Sequence, residues 1–287
     1  MSLSKKSGFV TLVGRSNVGK STLLNALVGS KVAIVTPKPQ TTRRPVRGIL
    51  NDPRGQIVFV DTPGFFLKTD PLSRRLNEIA REQTEGIEAI VYVADPTRAI
   101  GPEEEAIQKR LRALSVPIIL VVNKCDLPPE SRPFMKPVRD IDVGQKTTIE
   151  LSALKHGDLN RLVDALFGLL PEGELYYPEE QLTDMTKTEW VAELIREKAL
   201  MRLKQELPYT VNVEILSDET QASGLRKIEA RLWTTEERYK RMVIGAGGSM
   251  IKLIGSDARK ELEAATGQKV YLELEVDVDR DWQKRFV

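Results

Sequence analysis

Gly14-Arg15-Ser16-Asn17-Val18-Gly19-Lys20-Ser21 matches the spacing G-x-x-x-x-G-K-[ST] at every required position. That spacing suits a polyphosphate. Several negative charges in a small volume need backbone N–H groups aimed inward, and side chains would block the approach. Gly14 and Gly19 remove them. Lys20 is placed to reach the β- and γ-phosphates, and the Ser21 hydroxyl to bind Mg²⁺. Residues 9–13 read as a buried strand before the loop. Residues 21–28 read as a helix after it, with the positive N-terminus toward the phosphates. All of Gly14, Arg15, Ser16, Asn17, Val18, Gly19, Lys20 and Ser21 are candidate nucleotide contacts. The loop alone does not choose the nucleotide, so an ATPase or a kinase stays open.

The base is addressed by Asn123-Lys124-Cys125-Asp126, which closes an apolar strand at 118–122. A carboxylate accepts two hydrogen bonds from a base offering N1–H and a 2-amino group. Guanine offers both, and a site built around such an acceptor rejects a ligand that leaves it unpaired. Asp126 therefore selects guanine. Asn123 is expected to tie this loop to the phosphate loop, with the Lys124 stem over the base. Ser152-Ala153-Leu154-Lys155, after a short strand at 148–151, would supply a backbone N–H near the guanine oxygen. Asp61-Thr62-Pro63-Gly64 ends another apolar strand. Asp61 would hold Mg²⁺ through water, and the Gly64 amide would face the γ-phosphate. Phe65 follows directly. Between these lies Gln40-Thr41-Thr42-Arg43, where one threonine, expected to be Thr42, completes the Mg²⁺ shell.

The elements that position these loops follow from pattern. Residues 8–170 alternate apolar strands with amphipathic stretches. One helix is expected across 72–83, a strand at 88–95 and a helix at 157–170. Near-continuous apolar strands between helices indicate a mostly parallel sheet, with ligand loops at the strands' carboxyl ends. The pattern stops at Pro171-Glu172-Gly173-Glu174, which reads as a linker. Beyond it, Thr186-Lys187-Thr188-Glu189 fits a capping box ahead of a helix. Val211, Val213 and Ile215 alternate, as do Ile228, Ala230 and Leu232. Helices at 239–244 and 249–265 flank Gly245-Ala246-Gly247-Gly248, and a last strand covers 270–276. The order is α-β-β-α-α-β.

With 287 residues, the chain has room for one large or two ordinary domains. Its net charge of +2 gives no global field toward polyanions, so any such site must be a local patch. One cysteine excludes an internal disulfide framework, and no apolar run reaches the ~18 residues that span a bilayer. The first residues show no signal-peptide core. A reduced cytoplasm is expected. His156, the one histidine, falls in a turn expected to be exposed, so histidine-dependent catalysis is not expected.

Read together, these segments resemble the translation-factor-like GTPases. Gly-Arg-x-Asn-Val-Gly-Lys-Ser, Gln-Thr-Thr-Arg, Asp-Thr-Pro-Gly and Asn-Lys-x-Asp in this order are similar to the Era family. The second half, with G-x-x-G between two helices, resembles a type II KH domain. The resemblance implies an α/β fold: a P-loop NTPase G domain at 1–172, with a mostly parallel sheet and helices on both faces. A linker at 173–186 and a smaller α+β type II KH domain at 187–287 follow. It implies a GTPase forming GDP and phosphate, with Lys20, Thr42 and Gly64 as the catalytic positions. Mg²⁺ would sit at Ser21, Thr42 and Asp61. Relatives with an asparagine at Asn17 use it to help hold K⁺.

The same resemblance implies RNA rather than DNA as a partner. The G-x-x-G turn clamps single-stranded backbone. Gly245, Ala246, Gly247 and Gly248, with Arg238, Arg241, Lys252 and Arg259, are the expected contacts; Lys240 and Lys260 stand nearby. The family's partners are the 3′ region of 16S ribosomal RNA and the small ribosomal subunit, with peripheral association at the membrane. This chain departs from the family patterns twice. Ala246 and Gly247 are small where KH loops often carry a cation. Phe65 stands where many GTPases carry the water-orienting glutamine, so slow intrinsic turnover is expected. The competing readings are an RNA-binding scaffold with structural GTP, a tRNA-modification GTPase, and an ATP-dependent kinase opposed by Asp126.

Overall fold

A computed structural model describes residues 4–38, 41–62 and 86–282. The chain divides into two compact units, Met1–Val35 with Thr42–Asp184, and Thr36–Thr41 with Met185–Val287.

The first unit contains β1 (Lys6–Val13), α1 (Lys20–Val28), β2 (Val46–Asp52), β3 (Gly55–Asp61) and β4 (Ala89–Ala94). It continues with α2 (Pro102–Leu111), β5 (Ile118–Val122), α3 (Met135–Arg139), β6 (Thr147–Glu150) and α4 (Leu159–Leu169). The sheet order is β2-β3-β1-β4-β5-β6. All pairs are parallel except β2 with β3. Unbroken apolar runs explain the central strands: β3 and β4 are buried along their whole length. On α4, Leu162, Val163, Leu166 and Phe167 form one buried stripe at helical spacing. The helix expected at 72–83 lies outside the described residues.

Sequence reading assigned no strand to β2. It is the antiparallel edge, returned by a tight turn in which Arg54 N–H donates to Asp52 Oδ1 at 2.9 Å. The segment read as a linker is bound along this unit instead of hanging free. Ser7 N–H donates to Pro171 O at 3.1 Å, Gly173 N–H to Lys5 O at 2.9 Å, and Ile49 N–H to Leu182 O at 2.9 Å. Buried Gln56 is the anchor. Its Oε1 accepts Tyr176 and Tyr177 N–H at 2.9 and 3.0 Å, and its Nε2 donates to Tyr177 O at 2.9 Å. The Tyr176 ring packs 4.6 Å from that of Phe9.

The second unit contains α5 (Lys187–Arg202), β7 (Asn212–Thr220), β8 (Arg226–Thr234), α6 (Glu237–Ile244), α7 (Ser249–Thr266) and β9 (Val270–Val278). This is the expected α-β-β-α-α-β order. The sheet runs β7-β8-β9, antiparallel then parallel. Alternate β8 residues Ile228, Ala230 and Leu232 face a core shared with Leu194, Val243, Ile254 and Leu262. Within this unit Arg196 is buried and donates from Nη2 to Thr41 O at 2.6 Å. No helix among the described residues is long and apolar enough to cross a membrane.

Helix α5 starts with the capping box read from the sequence. Glu189 N–H donates to Thr186 Oγ1 at 3.2 Å, and Thr186 N–H to Glu189 Oε2 at 2.9 Å. All three tryptophans, Trp190, Trp233 and Trp282, belong to this unit, so their fluorescence reports its unfolding. Thr186→Ala should lower its stability by about 1 kcal/mol in urea titrations followed by tryptophan emission, and Thr186→Ser should restore most of it.

Candidate nucleotide-binding site and nucleic-acid groove

The loop between β1 and α1 sits at the carboxyl ends of the parallel strands, where open α/β sheets place ligands. Asn123, at the end of β5, is buried and holds it from behind. Its Nδ2 donates to Val18 O at 2.9 Å, and its Oδ1 accepts Ala153 N–H at 3.0 Å. One amide thus joins the phosphate loop to both expected purine loops. Gly19 is needed for this approach. It has φ 102°, and an added Cβ would lie 2.3 Å from Asn123 Nδ2.

Lys20 is buried, and its Nζ donates to Gly14 O at 3.1 Å and Arg15 O at 3.0 Å. Burial lowers its pKa from the usual lysine value, partly offset by Asp61 and Glu104. Ser21 Oγ donates to Asp61 Oδ2 at 2.6 Å, and Thr42 Oγ1 donates to the same oxygen at 3.2 Å. The two hydroxyls are 3.1 Å apart. Asp61 is fully buried, burial raises its pKa, and its Oδ1 has no hydrogen-bond partner. Three oxygen donors converging beside an unsatisfied carboxylate oxygen fit a hard divalent cation such as Mg²⁺. The Thr41 hydroxyl donates to Lys38 O at 2.7 Å.

Several other expected contacts make bonds or close approaches within the protein. Arg15 Nε lies 2.5 Å from Glu104 Oε2, and its Nη1 donates to Ala99 O at 3.1 Å, so its guanidinium faces α2. Thr62 Oγ1 donates to Leu12 O at 2.9 Å. Asn17 has φ 64°, and its carbonyl accepts Lys124 Nζ at 3.2 Å. Cys125 Sγ contacts Val122 O at 3.3 Å, and burial raises its thiol pKa. Pro63, Gly64 and Phe65 lie outside the described residues.

In the loops expected to meet the purine, Asp126 is exposed and its Oδ1 accepts Ser152 Oγ–H at 2.7 Å. Lys155 N–H donates to Ser152 Oγ at 3.0 Å. Lys124 Nζ is 2.5 Å from Oδ2 of buried Asp95. Burial alone would raise the Asp95 carboxyl, but bonds from Lys124 and Thr97 outweigh it and hold the pKa below the usual range. Sequence reading named neither Asp95 nor Glu104 as a functional residue; Asp95 only closes the strand expected at 88–95. His156 is exposed, as expected.

In the second unit, α6 ends in the glycine turn. Gly245 has φ 73°, and a Cβ there would meet Met250 N at 2.9 Å. Ala246 and Gly247 are exposed, and Gly248 has φ 77°. Below the turn a cavity of about 310 Å³ runs between α7 and β9, lined by Lys252, Gly255, Ser256, Arg259 and Tyr271 among others. The basic residues divide. Arg238 pairs with Glu236 at 2.8 Å and Lys240 with Asp277 at 3.0 Å. Arg241, Lys252 and Arg259 are exposed and make no ion pair among the described residues. Half-exposed Tyr271, which sequence reading did not name, adds an aromatic face to the groove.

A family model described as a 50S ribosome-binding GTPase matches residues 9–124, and one described as a KH domain matches residues 206–283. The chain is 40% identical over 286 residues to the GTPase Era of Halothermothrix orenii, covering 99% of this chain and 96% of that one. It is also 40% identical over 281 residues to the GTPase Era of Heliobacterium modesticaldum, covering 98% and 94%. Among solved structures, an Aquifex aeolicus Era variant bound to GDP and aluminium fluoride superimposes with TM-score 0.90 at 37% identity, covering 98% of this chain and 96% of that chain. Era in complex with MgGDPNP and nucleotides 1506–1542 of 16S ribosomal RNA gives the same score, identity and coverage.

The Asp126–Ser152 pair makes a direct test of base choice. Asn in place of Asp126 presents a donor where guanine also donates, and suits a purine with a 2-carbonyl. Asp126→Asn should lower GDP affinity at least about a hundredfold and favour xanthosine diphosphate, as measured by calorimetry.

Proposed function

The chain belongs to the Era family of GTPases, and on that premise we propose that it is a GTP-hydrolysing switch that grips single-stranded ribosomal RNA during small-subunit assembly. The first unit is the G domain and the second the KH domain. The observation that carries the site assignment is the convergence of Ser21, Thr42 and Asp61 beside a phosphate loop tied by Asn123 to the purine loops.

In this reading Gly14 to Ser21 wrap the phosphates with their amides, and Lys20 exchanges the Gly14 and Arg15 carbonyls for phosphate oxygens. Ser21, Thr42 and Asp61 hold Mg²⁺, which when bound neutralises charge on the phosphates. Asp126 accepts from the guanine edge while Ser152 orients it. The loop carrying Ser152, Ala153 and Lys155 supplies a backbone N–H to the purine oxygen; Ala153 N–H donates to Asn123 Oδ1 and Lys155 N–H to Ser152 Oγ. Gly64 contributes its amide at the γ-phosphate. Phe65 has no group to orient a water, so intrinsic turnover is slow, on the order of 10⁻⁴ to 10⁻³ s⁻¹. Asn17 supports a K⁺ site through the family resemblance. Rates in KCl and NaCl at equal ionic strength check this, and equal rates remove it.

The KH groove takes RNA backbone at Gly245 to Gly248, with phosphates near Arg241, Lys252 and Arg259. Arg238, paired with Glu236, contributes less. The RNA assignment follows the solved Era complex with 16S nucleotides, and the domain work is divided at 1–172 and 187–287. Cytoplasmic location with peripheral membrane association completes the family reading.

Multiple-turnover phosphate release from GTP, stimulated or not by an RNA covering the 16S 3′ end, tests the whole. Absence of turnover would reduce the nucleotide to a structural ligand. Lys252→Ala with Arg259→Ala should weaken RNA binding and lower the salt slope by about 0.7 for each phosphate that no longer has a cation beside it, with GDP affinity unchanged. An unchanged slope would move the RNA elsewhere.

A further inference from the structure

Glutamates at 103, 104 and 105 open α2, but only Glu104 turns inward; it is 1% exposed. One turn on, Ile107 and Gln108 are buried on the same side. The Glu104 carboxylate meets two groups. Arg15 Nε, from the phosphate loop, lies 2.5 Å from Oε2, and Tyr92 on β4 donates its hydroxyl to Oε1. Burial, and then the Glu104 charge, push the Tyr92 pKa well up, so Tyr92 remains a donor. Arg15 is itself buried, and its Nη1 reaches Ala99 O just before α2.

The neighbouring loop residues are held from the same segment. Arg98 Nη2 donates to Ser16 O at 2.7 Å. Asp95 grips Lys124, which donates to Asn17 O. Residues 15, 16 and 17 are thus each fastened to the stretch 95–104 or to its partner. Arg15 O also accepts Lys20 Nζ at 3.0 Å, so the Arg15 backbone sets the starting position of the phosphate-binding lysine.

We propose that Glu104 is a positioning residue for the phosphate loop, acting through Arg15, which it holds away from the nucleotide. An ion pair out of water fixes its partners because neither charge is tolerated alone there. The loop's amides and Lys20 are thereby kept in the geometry that phosphate requires. Glu104 touches no nucleotide itself. This inference rests on the GTPase reading, but its main readout, GDP release, does not depend on hydrolysis.

Glu104→Gln keeps the shape and removes the charge, so a packing role alone predicts no change. The full chain carrying E104Q should release a fluorescent GDP analogue about tenfold faster and show a lower kcat for GTP, with GTP-over-ATP preference intact. E104Q leaves Arg15 buried and uncompensated, which threatens folding. The double variant Arg15→Gln/Glu104→Gln leaves no unpaired charge. It should melt closer to wild type than E104Q, yet release GDP as fast as the faster single variant and no faster. Wild-type release rates in E104Q or in the folded double variant would overturn the proposal, as would single effects that multiply in the double. Normal GDP release by wild type without GTP hydrolysis would overturn the functional reading and leave this one standing.

Discussion

The first unit depends on one buried side-chain amide. Asn123 donates to the loop between β1 and α1 and accepts from the loop after β6, so a strand-end residue sets the distance between the proposed polyanion and purine loops. A buried amide with both ends satisfied is costly to move, because either displacement strands a polar atom. Gly19 then has to be glycine for reasons of space as much as of dihedral angle, since Asn123 occupies the volume a side chain would need.

Around that amide the site is organised by groups that already have partners inside the protein. Lys20 rests on loop carbonyls, and Ser21 and Thr42 rest on Asp61. The Arg15 guanidinium lies against Glu104 and the Thr62 hydroxyl donates to Leu12 O, so both side chains turn into the protein. A preorganised cradle of this kind loses little freedom when an anion enters.

Most of the arrangement of the candidate site was legible in the sequence because its motifs are local. G-x-x-x-x-G-K-S and Asn-Lys-x-Asp state their own spacing, and the capping box at Thr186 and the α-β-β-α-α-β order follow from short-range pattern. What escaped reading depends on partners far along the chain. β2 carries a glycine at position 48 and only a short apolar core, and becomes a strand because β3 offers it a ladder. Glu104 has the composition of a solvated helix turn, and its burial is decided by Arg15, 89 positions earlier. Asp95 is similar, since only the fold brings Lys124 to it. Residues 172–184 have linker composition, and nothing local announces that Gln56 collects their amides.

That last feature bears on how the molecule can be dissected. β2 is the terminal strand of the six-stranded sheet, and terminal strands with bare amides and carbonyls template unwanted association. Here Leu182 takes the Ile49 amide, and Thr183 bridges to Gly48, so the sheet's outermost rung is shielded by the chain's own continuation. A fragment cut after Leu170 would lose that shield along with the Tyr176 ring over Phe9, and would be prone to self-adhesion. One cut after Asp184 would carry its own cover.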